Sequence, residues 1–206
     1  MTQSDTNGLE AVVLAAGRGV RFGGGKLLAL LDDAPLVAHA LRTALLSPVR
    51  RVFVAVADPA VRAAVETTAR RLKASERLVV VPVENADEGM GASLRTAAAA
   101  LPDDTTAVFV FLGDMPAIDP ATPALLARAL KSPHDIVAPL HLGRRGHPVL
   151  FGATWLPALR TLSGDEGARA LLENAGARLA RIPVHDPGIH LDVDRPEDLA
   201  RAIEGR

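Results

Sequence analysis

The chain has no cysteine. Disulfides, thiolate metal sites and cysteine nucleophiles are therefore excluded. Aromatic residues make up only 3% of the sequence, too few for the stacking platforms that single-stranded nucleic acid needs. Charge of one sign is missing too: the formal net charge is -1. No basic field draws the chain to nucleic acid or to an acidic membrane surface. No apolar run approaches the ~20 residues that span a bilayer. Residues 1–10 are polar and lack the charged-then-apolar order of a signal peptide. A cytoplasmic protein is the expectation, with neither nucleic acid nor membrane among its partners.

What is present suits one domain, 1–206, with a sizeable core, since 49% of the 206 residues are apolar. Residues 1–9 read as a disordered tail. Strands are expected at 11–16, 51–56, 78–83, 106–112, 135–139 and 178–184, with a further strand after a loop at 143–148. Helices are expected at 35–46, 59–73, 94–101, 120–130, 154–162, 165–174 and 196–204. Asp58 and Pro59 form a helix start, and Pro82 suits an edge strand. Strands that alternate with helices predict a mostly parallel sheet covered on both faces.

The stretch Ala11–Lys26 stands out. An apolar run, as in a buried parallel strand, leads into a loop with five glycines, two arginines and a lysine. Glycine admits positive φ and close approach to a ligand. Exposed backbone N–H groups beside cations suit a polyphosphate. The dinucleotide fingerprint fails at Phe22, where its last glycine would stand, and the Walker A pattern fails at Val20 and Leu27. The expected ligand is a nucleoside triphosphate beyond the first strand.

Leu14-Ala15-Ala16-Gly17-Arg18-Gly19, continuing through Arg21 and Gly23 to Lys26, resembles the L-A-x-G-x-x-x-R-x-G-x-x-K signature of the MobA-like nucleotidyltransferases. Within them it is most similar to the molybdenum cofactor cytidylyltransferases. The resemblance spans nearly the whole chain and implies a three-layer α/β/α, Rossmann-like fold.

Ligands of open α/β sheets bind beyond the carboxyl ends of the strands. Asp114 follows the apolar strand 106–112 directly, so its charge belongs at the strand tip. Asp194, in Leu191-Asp-Val-Asp-Arg-Pro-Glu-Asp198, suits either a helix N-cap or a metal, and Asp192 is a neighbouring alternative. Two carboxylates and a triphosphate make a natural magnesium site. The resemblance sharpens this, because Gly113-Asp114-Met115-Pro116 is similar to the family's metal-binding G-D-x-P and Asp194 matches the second metal ligand of the broader superfamily's D-x-P-E-D. Asn85, Gly91 and Ser93 precede or open a helix aimed at the same edge. Asn85 and Ser93 carry groups that read a nucleobase edge, although Ser93 also suits a plain N-cap.

Arg144, Arg145, Gly146 and His147 form the other dense segment, and two arginines there can fork onto a phosphate. The resemblance extends through this segment and through Ser163-Gly-Asp165, and implies a pocket for molybdopterin. It implies transfer of CMP from CTP to the molybdopterin phosphate. Lys26 and Arg18 would hold the triphosphate, Mg²⁺ would sit on Asp114 and Asp194, and Leu14 to Gly19 would seat the base. A molybdoenzyme or its chaperone is a further partner on this reading. The rivals are a related transferase using GTP or a sugar phosphate, a relative of the nicotine blue oxidoreductase kind, and a non-catalytic nucleotide-binding cofactor chaperone.

Overall fold

A computed structural model describes residues 8–17, 19, 22–164 and 167–199. Arg18, Arg21, Asp165 and most of the expected closing helix lie outside the described residues. In chain order the elements are β1 (Leu9–Ala15), β2 (Leu30–Leu31), β3 (Ala34–Pro35), α1 (Leu36–Leu46), β4 (Val52–Val56), α2 (Pro59–Arg71), β5 (Leu78–Pro82), α3 (Met90–Ala99), β6 (Ala107–Leu112) and α4 (Ala121–Ala129). They continue as β7 (Ile136–His141), β8 (Arg144–Arg145), β9 (Val149–Gly152), α5 (Leu156–Leu159), α6 (Arg169–Asn174) and β10 (Leu179–Pro183).

One large sheet runs β10-β7-β9-β6-β1-β4-β5, with β8 beside β7. All pairings are parallel except those of β9 with β6 and β7, and of β8 with β7. The fold is therefore a mostly parallel sheet between two helical layers. Strand alternation sets the layers. On β1, Ala11, Val13 and Ala15 join Val54 and Phe109 under α1, α2 and α4. Val12 joins Phe53, Val108 and Val110 on the opposite face, under Leu94 and Ala97 of α3 and Leu159 of α5.

Several boundaries differ from the sequence reading. Residues 8 and 9 are not part of a tail: Gly8 accepts a hydrogen bond from Thr106 N–H at 2.8 Å, and Leu9 already lies in β1. Pro35 precedes α1 rather than opening it. Helix α3 begins at Met90, after Gly89 at φ 97°, so Ser93 sits inside the helix. Residues 144–145 form a strand, not a loop. They pair with the end of β7 across Leu142 and Gly143, both at positive φ, as in a two-residue hairpin turn. The Asp58 cap is present, accepting from Ala60 N–H at 2.7 Å, and β5 with Pro82 is an edge strand.

The amino edge of the sheet carries a closed ionic cluster. Glu10 is fully buried and accepts from Arg50 Nε at 2.7 Å and from Arg51 N–H at 2.8 Å. Two further bonds, both at 2.7 Å, tie the Arg50 guanidinium to Asp104. A buried carboxylate is tolerable only with such partners.

Candidate active site

The opposite edge is built differently. The parallel strands β1, β4, β5 and β6 all deliver their carboxyl ends there. Antiparallel β9 delivers its beginning, with Val149 opposite Val110 of β6. Four chain segments are then stitched together. Gly113 N–H donates to Leu14 O at 2.9 Å, and Val193 N–H donates to Asp114 O at 3.0 Å. His147 N–H donates to Ile189 O at 3.1 Å.

Lys26 lies at the centre. Its Nζ donates to Asp114 Oδ2 at 2.6 Å and to Asp194 Oδ1 at 2.9 Å. The lysine side chain is 11% exposed, those of Asp114 and Asp194 23% and 40%. Burial works to lower the Lys26 pKa, but the charge of Asp114 and the hydrogen bonds to both carboxylates outweigh it, and the net shift is upward. The ammonium is thereby held charged.

The backbone at Asp194 is held by an acid further along the chain. Asp198 Oδ2 accepts from the N–H of Asp194 at 3.1 Å and of Arg195 at 2.9 Å. An acid reaching back to N–H groups a turn earlier is the device of a capping box, and the Asp194 carboxylate itself accepts from Lys26. Asp192 lines the same cavity. Burial first, and then the Asp194 and Asp114 charges, raise its pKa. Of the two candidates, Asp194 is the one that shares a cation with Asp114.

The carboxylates of Asp114 and Asp194 converge on one cation, here the lysine ammonium. Both offer hard oxygen donors, the kind magnesium prefers. Among the described residues no group of three or more acids or imidazoles is gathered to hold a metal, so the pair fits a divalent metal only if its other ligands come from outside the protein.

Around this centre is a cleft of two adjoining cavities, ≈ 610 Å³ and ≈ 690 Å³, that share Ala16, Gly17, Lys26, Leu27, Ala86 and Asp87. Leu14, Gly19 and Ser93 line the first and Ala15 the second. Ser93 Oγ turns back to Gly89 O at 3.5 Å, within its own helix. Asn85 is exposed, and the adjacent Glu84 and Asp87 border the cleft instead. Gly91 faces away. Its N–H donates to Gly164 O at 2.8 Å, and a Cβ there would lie 2.6 Å from Ser163 O, so it is a packing glycine.

A third cavity, ≈ 420 Å³, lies on the β9 side and is mostly apolar, with Val110, Val149, Phe151 and Leu172 in its wall and Arg145 and His147 at its polar end. Leu14, Met90 and Leu112 line both this cavity and the ≈ 610 Å³ one. Arg144 and Arg145 diverge, as successive strand residues must, and only Arg145 reaches the cavity. Its pKa is lowered by burial and then by the nearby Arg181. Gly146 is a packing residue whose Cβ would strike Ile189 O.

His147 has a buried Nδ1 with no hydrogen-bond partner, and burial lowers its pKa from the ordinary 6.5. The sign follows from linkage. As pH falls through about 6.5, the unfolded chain takes up this proton before the folded one does. Stability is expected to decline from about pH 6.5 downward and to level off below the folded-state pKa. His147→Gln should remove that part of the acid sensitivity. Urea midpoints measured from about pH 8 to pH 5 check this, and equal slopes for both proteins would contradict it.

Sequence reasoning missed Asp198, Glu84, Asp87 and Met90. Only Asp198 carries a signal, the acid placed four residues after Asp194.

The chain is similar to several known proteins. The chain is 29% identical to the purine catabolism protein PucB of Bacillus subtilis (strain 168) over 198 residues, 92% of this chain and 93% of that protein. It is 29% identical to nicotine blue oxidoreductase of Paenarthrobacter nicotinovorans over 214 residues, 98% of this chain and 100% of that protein. Among solved structures it resembles Rv0371c of Mycobacterium tuberculosis H37Rv, with a TM-score of 0.77, 28% identity, and coverage of 97% of this chain and 99% of that one. A complex of Rv0371c with manganese is similar at a TM-score of 0.71 and 27% identity, covering 96% and 99%. Residues 11–181 match the MobA-like NTP transferase domain. With that match across most of its length, the glycine loop at the tip of β1 and Lys26 between Asp114 and Asp194, the chain belongs to the MobA-like NTP transferase family.

Proposed function

We propose that the enzyme transfers CMP from CTP to the terminal phosphate of molybdopterin. A phosphate oxygen of molybdopterin forms a bond to the α-phosphorus of CTP, the bond from that phosphorus to the β-phosphate oxygen breaks, and pyrophosphate leaves. The nucleophile is already an anion, so no general base is needed. Catalysis then rests on positioning and charge neutralisation.

The observation that carries the reading is the shared wall of Leu14, Met90 and Leu112 between the Lys26 cleft and the Arg145–His147 cavity. Donor and acceptor sites in contact are what a transfer between two bound substrates requires. In this reading Lys26 and Arg18 hold the triphosphate and meet the charge of the departing pyrophosphate. Asp114 and Asp194 hold Mg²⁺, which when bound supplies neutralisation of phosphate oxygens; the manganese complex of Rv0371c is consistent with such a site. The backbone from Leu14 to Gly19 seats the base, and Arg145 and His147 face the acceptor. Pyrophosphate release from CTP with magnesium and molybdopterin, compared with GTP, is the test. No release with any triphosphate overturns the reading.

Base choice is expected to turn on Ala16, which is 5% exposed and borders both halves of the cleft. A pyrimidine tolerates its methyl better than a purine, and overpacking costs ~1–3 kcal/mol, about ten- to a hundredfold. CTP is expected to outcompete GTP at equal concentration, and Ala16→Gly to narrow the gap. A wild-type preference for GTP would sink the cytidylyl assignment while leaving nucleotidyl transfer standing.

The likeness to nicotine blue oxidoreductase supplies a second reading. NAD(P)H consumption without any triphosphate would favour it.

A further inference from the structure

We propose that Lys26 is the resident counter-cation of the Asp114–Asp194 pair, so that the site takes up divalent metal and triphosphate together, as one complex, and resists metal alone. The inference rests on reading this pair as the metal ligands.

One ammonium satisfies two carboxylates from different segments, at 2.6 and 2.9 Å. A cation that binds both oxygens must take that place. The lysine cannot leave as a whole. It opens the helical turn Lys26–Leu28, where Ala29 N–H donates to Lys26 O at 3.1 Å. Gly19, at φ 60°, lies over its stem so closely that a Cβ there would be 2.7 Å from Lys26 Cβ. Only the end of the side chain is free to swing.

In its paired position 11% of that side chain is exposed, and an ammonium displaced from there gives up two charged partners, which another anion best replaces. Free metal offers none, and it adds a like charge beside the ammonium. A triphosphate complex offers both halves at once: the metal for the carboxylates and phosphate oxygens for the lysine. Coupling between two ligands is reciprocal, so metal strengthens triphosphate binding as much as triphosphate strengthens metal binding. The ion pair also keeps two like charges from facing each other before substrate arrives.

The test titrates Mn²⁺ alone, without nucleotide, reading free Mn²⁺ by electron paramagnetic resonance. Wild type, Lys26→Met and Asp114→Asn are compared, each checked for folding by circular dichroism. Lys26→Met is expected to bind Mn²⁺ about tenfold or more tightly than wild type, with binding lost in Asp114→Asn. Equal or weaker binding by Lys26→Met, with Asp114→Asn still defective, overturns the counter-cation role and leaves the metal-ligand reading intact. Mn²⁺ binding that Asp114→Asn does not touch overturns both. A measurement on wild type stands even if Lys26→Met fails to fold. The chain's lysines are Lys26, Lys73 and Lys131, so the Lys26 Cε resonance is readily assigned. It should move on adding magnesium with a non-hydrolysable CTP analogue and stay in place with magnesium alone. Movement with magnesium alone at low concentration overturns the proposal.

Discussion

Asp114→Asn is expected to lower kcat/KM by about a hundredfold or more, roughly 2.7 kcal/mol of transition-state stabilisation, while the fold survives. The two halves of this expectation have separate causes. The fold survives because Asp114 contributes to structure mainly through its backbone, whose carbonyl accepts from Val193 N–H at 3.0 Å. Asparagine keeps that carbonyl and also keeps a side-chain oxygen for Lys26. Activity falls because asparagine has no charge. A neutral amide is a poor ligand for a hard divalent cation, and the Lys26 ammonium loses the stronger of its two partners. Pyrophosphate release and a thermal melt, run on the same preparation, check both halves. Activity within about threefold of wild type, under ~1 kcal/mol, would remove Asp114 from the machinery.

Lys26→Ala is expected to have the other large effect, about a hundred- to a thousandfold in turnover, the range seen when one donor to a developing oxyanion is deleted. Charge grows on the pyrophosphate as it departs, so the loss should fall on kcat as well as on KM. Lys26→Arg should restore only part, about tenfold. The position is tight beneath Gly19, and a planar guanidinium does not reproduce a compact ammonium between two carboxylates. The alanine variant should therefore separate two quantities that usually move together, with metal binding tightening while chemistry slows. Steady-state kinetics against CTP decide it. Unchanged kcat and KM would show that the lysine only balances charge.

Much of this was legible in the chain because the signals are local. The apolar runs of β1, β4 and β6, the Asp58-Pro59 helix start and the proline of edge strand β5 each follow from a few neighbouring residues. Asp114 could be placed at a strand tip because a charge ending an apolar strand has nowhere else to go. What escaped depends on packing between distant segments. The start of α3 at Met90 turns on Gly89 adopting φ 97°, and helical periodicity does not report a single residue's conformation. Gly91 and Gly146 looked like ligand-side glycines, yet both serve close backbone approach, against Ser163 and Ile189 respectively. Arg144 and Arg145 read as a pair until the two-residue strand β8 sent them to opposite sides. The bridging of two carboxylates by Lys26 lies beyond any local pattern, since each partner carries its own reading as strand tip, cap or ligand.

That bridge has a consequence for how the protein is born. Lys26 reaches Asp114 across 88 residues of chain and Asp194 across 168. On the ribosome, β1, β4, β5 and β6 can assemble once Leu112 has emerged, and the central sheet then exists without its site. The last member arrives only with Asp194, so the arrangement of two carboxylates around Lys26 closes late in synthesis. Once made, the contact works as a clasp between the first loop and the segment after β10. A metal–triphosphate complex that replaces it, joining the same two segments through the carboxylates and the lysine, should slow protease cutting at both places together, although almost the whole sequence lies between them.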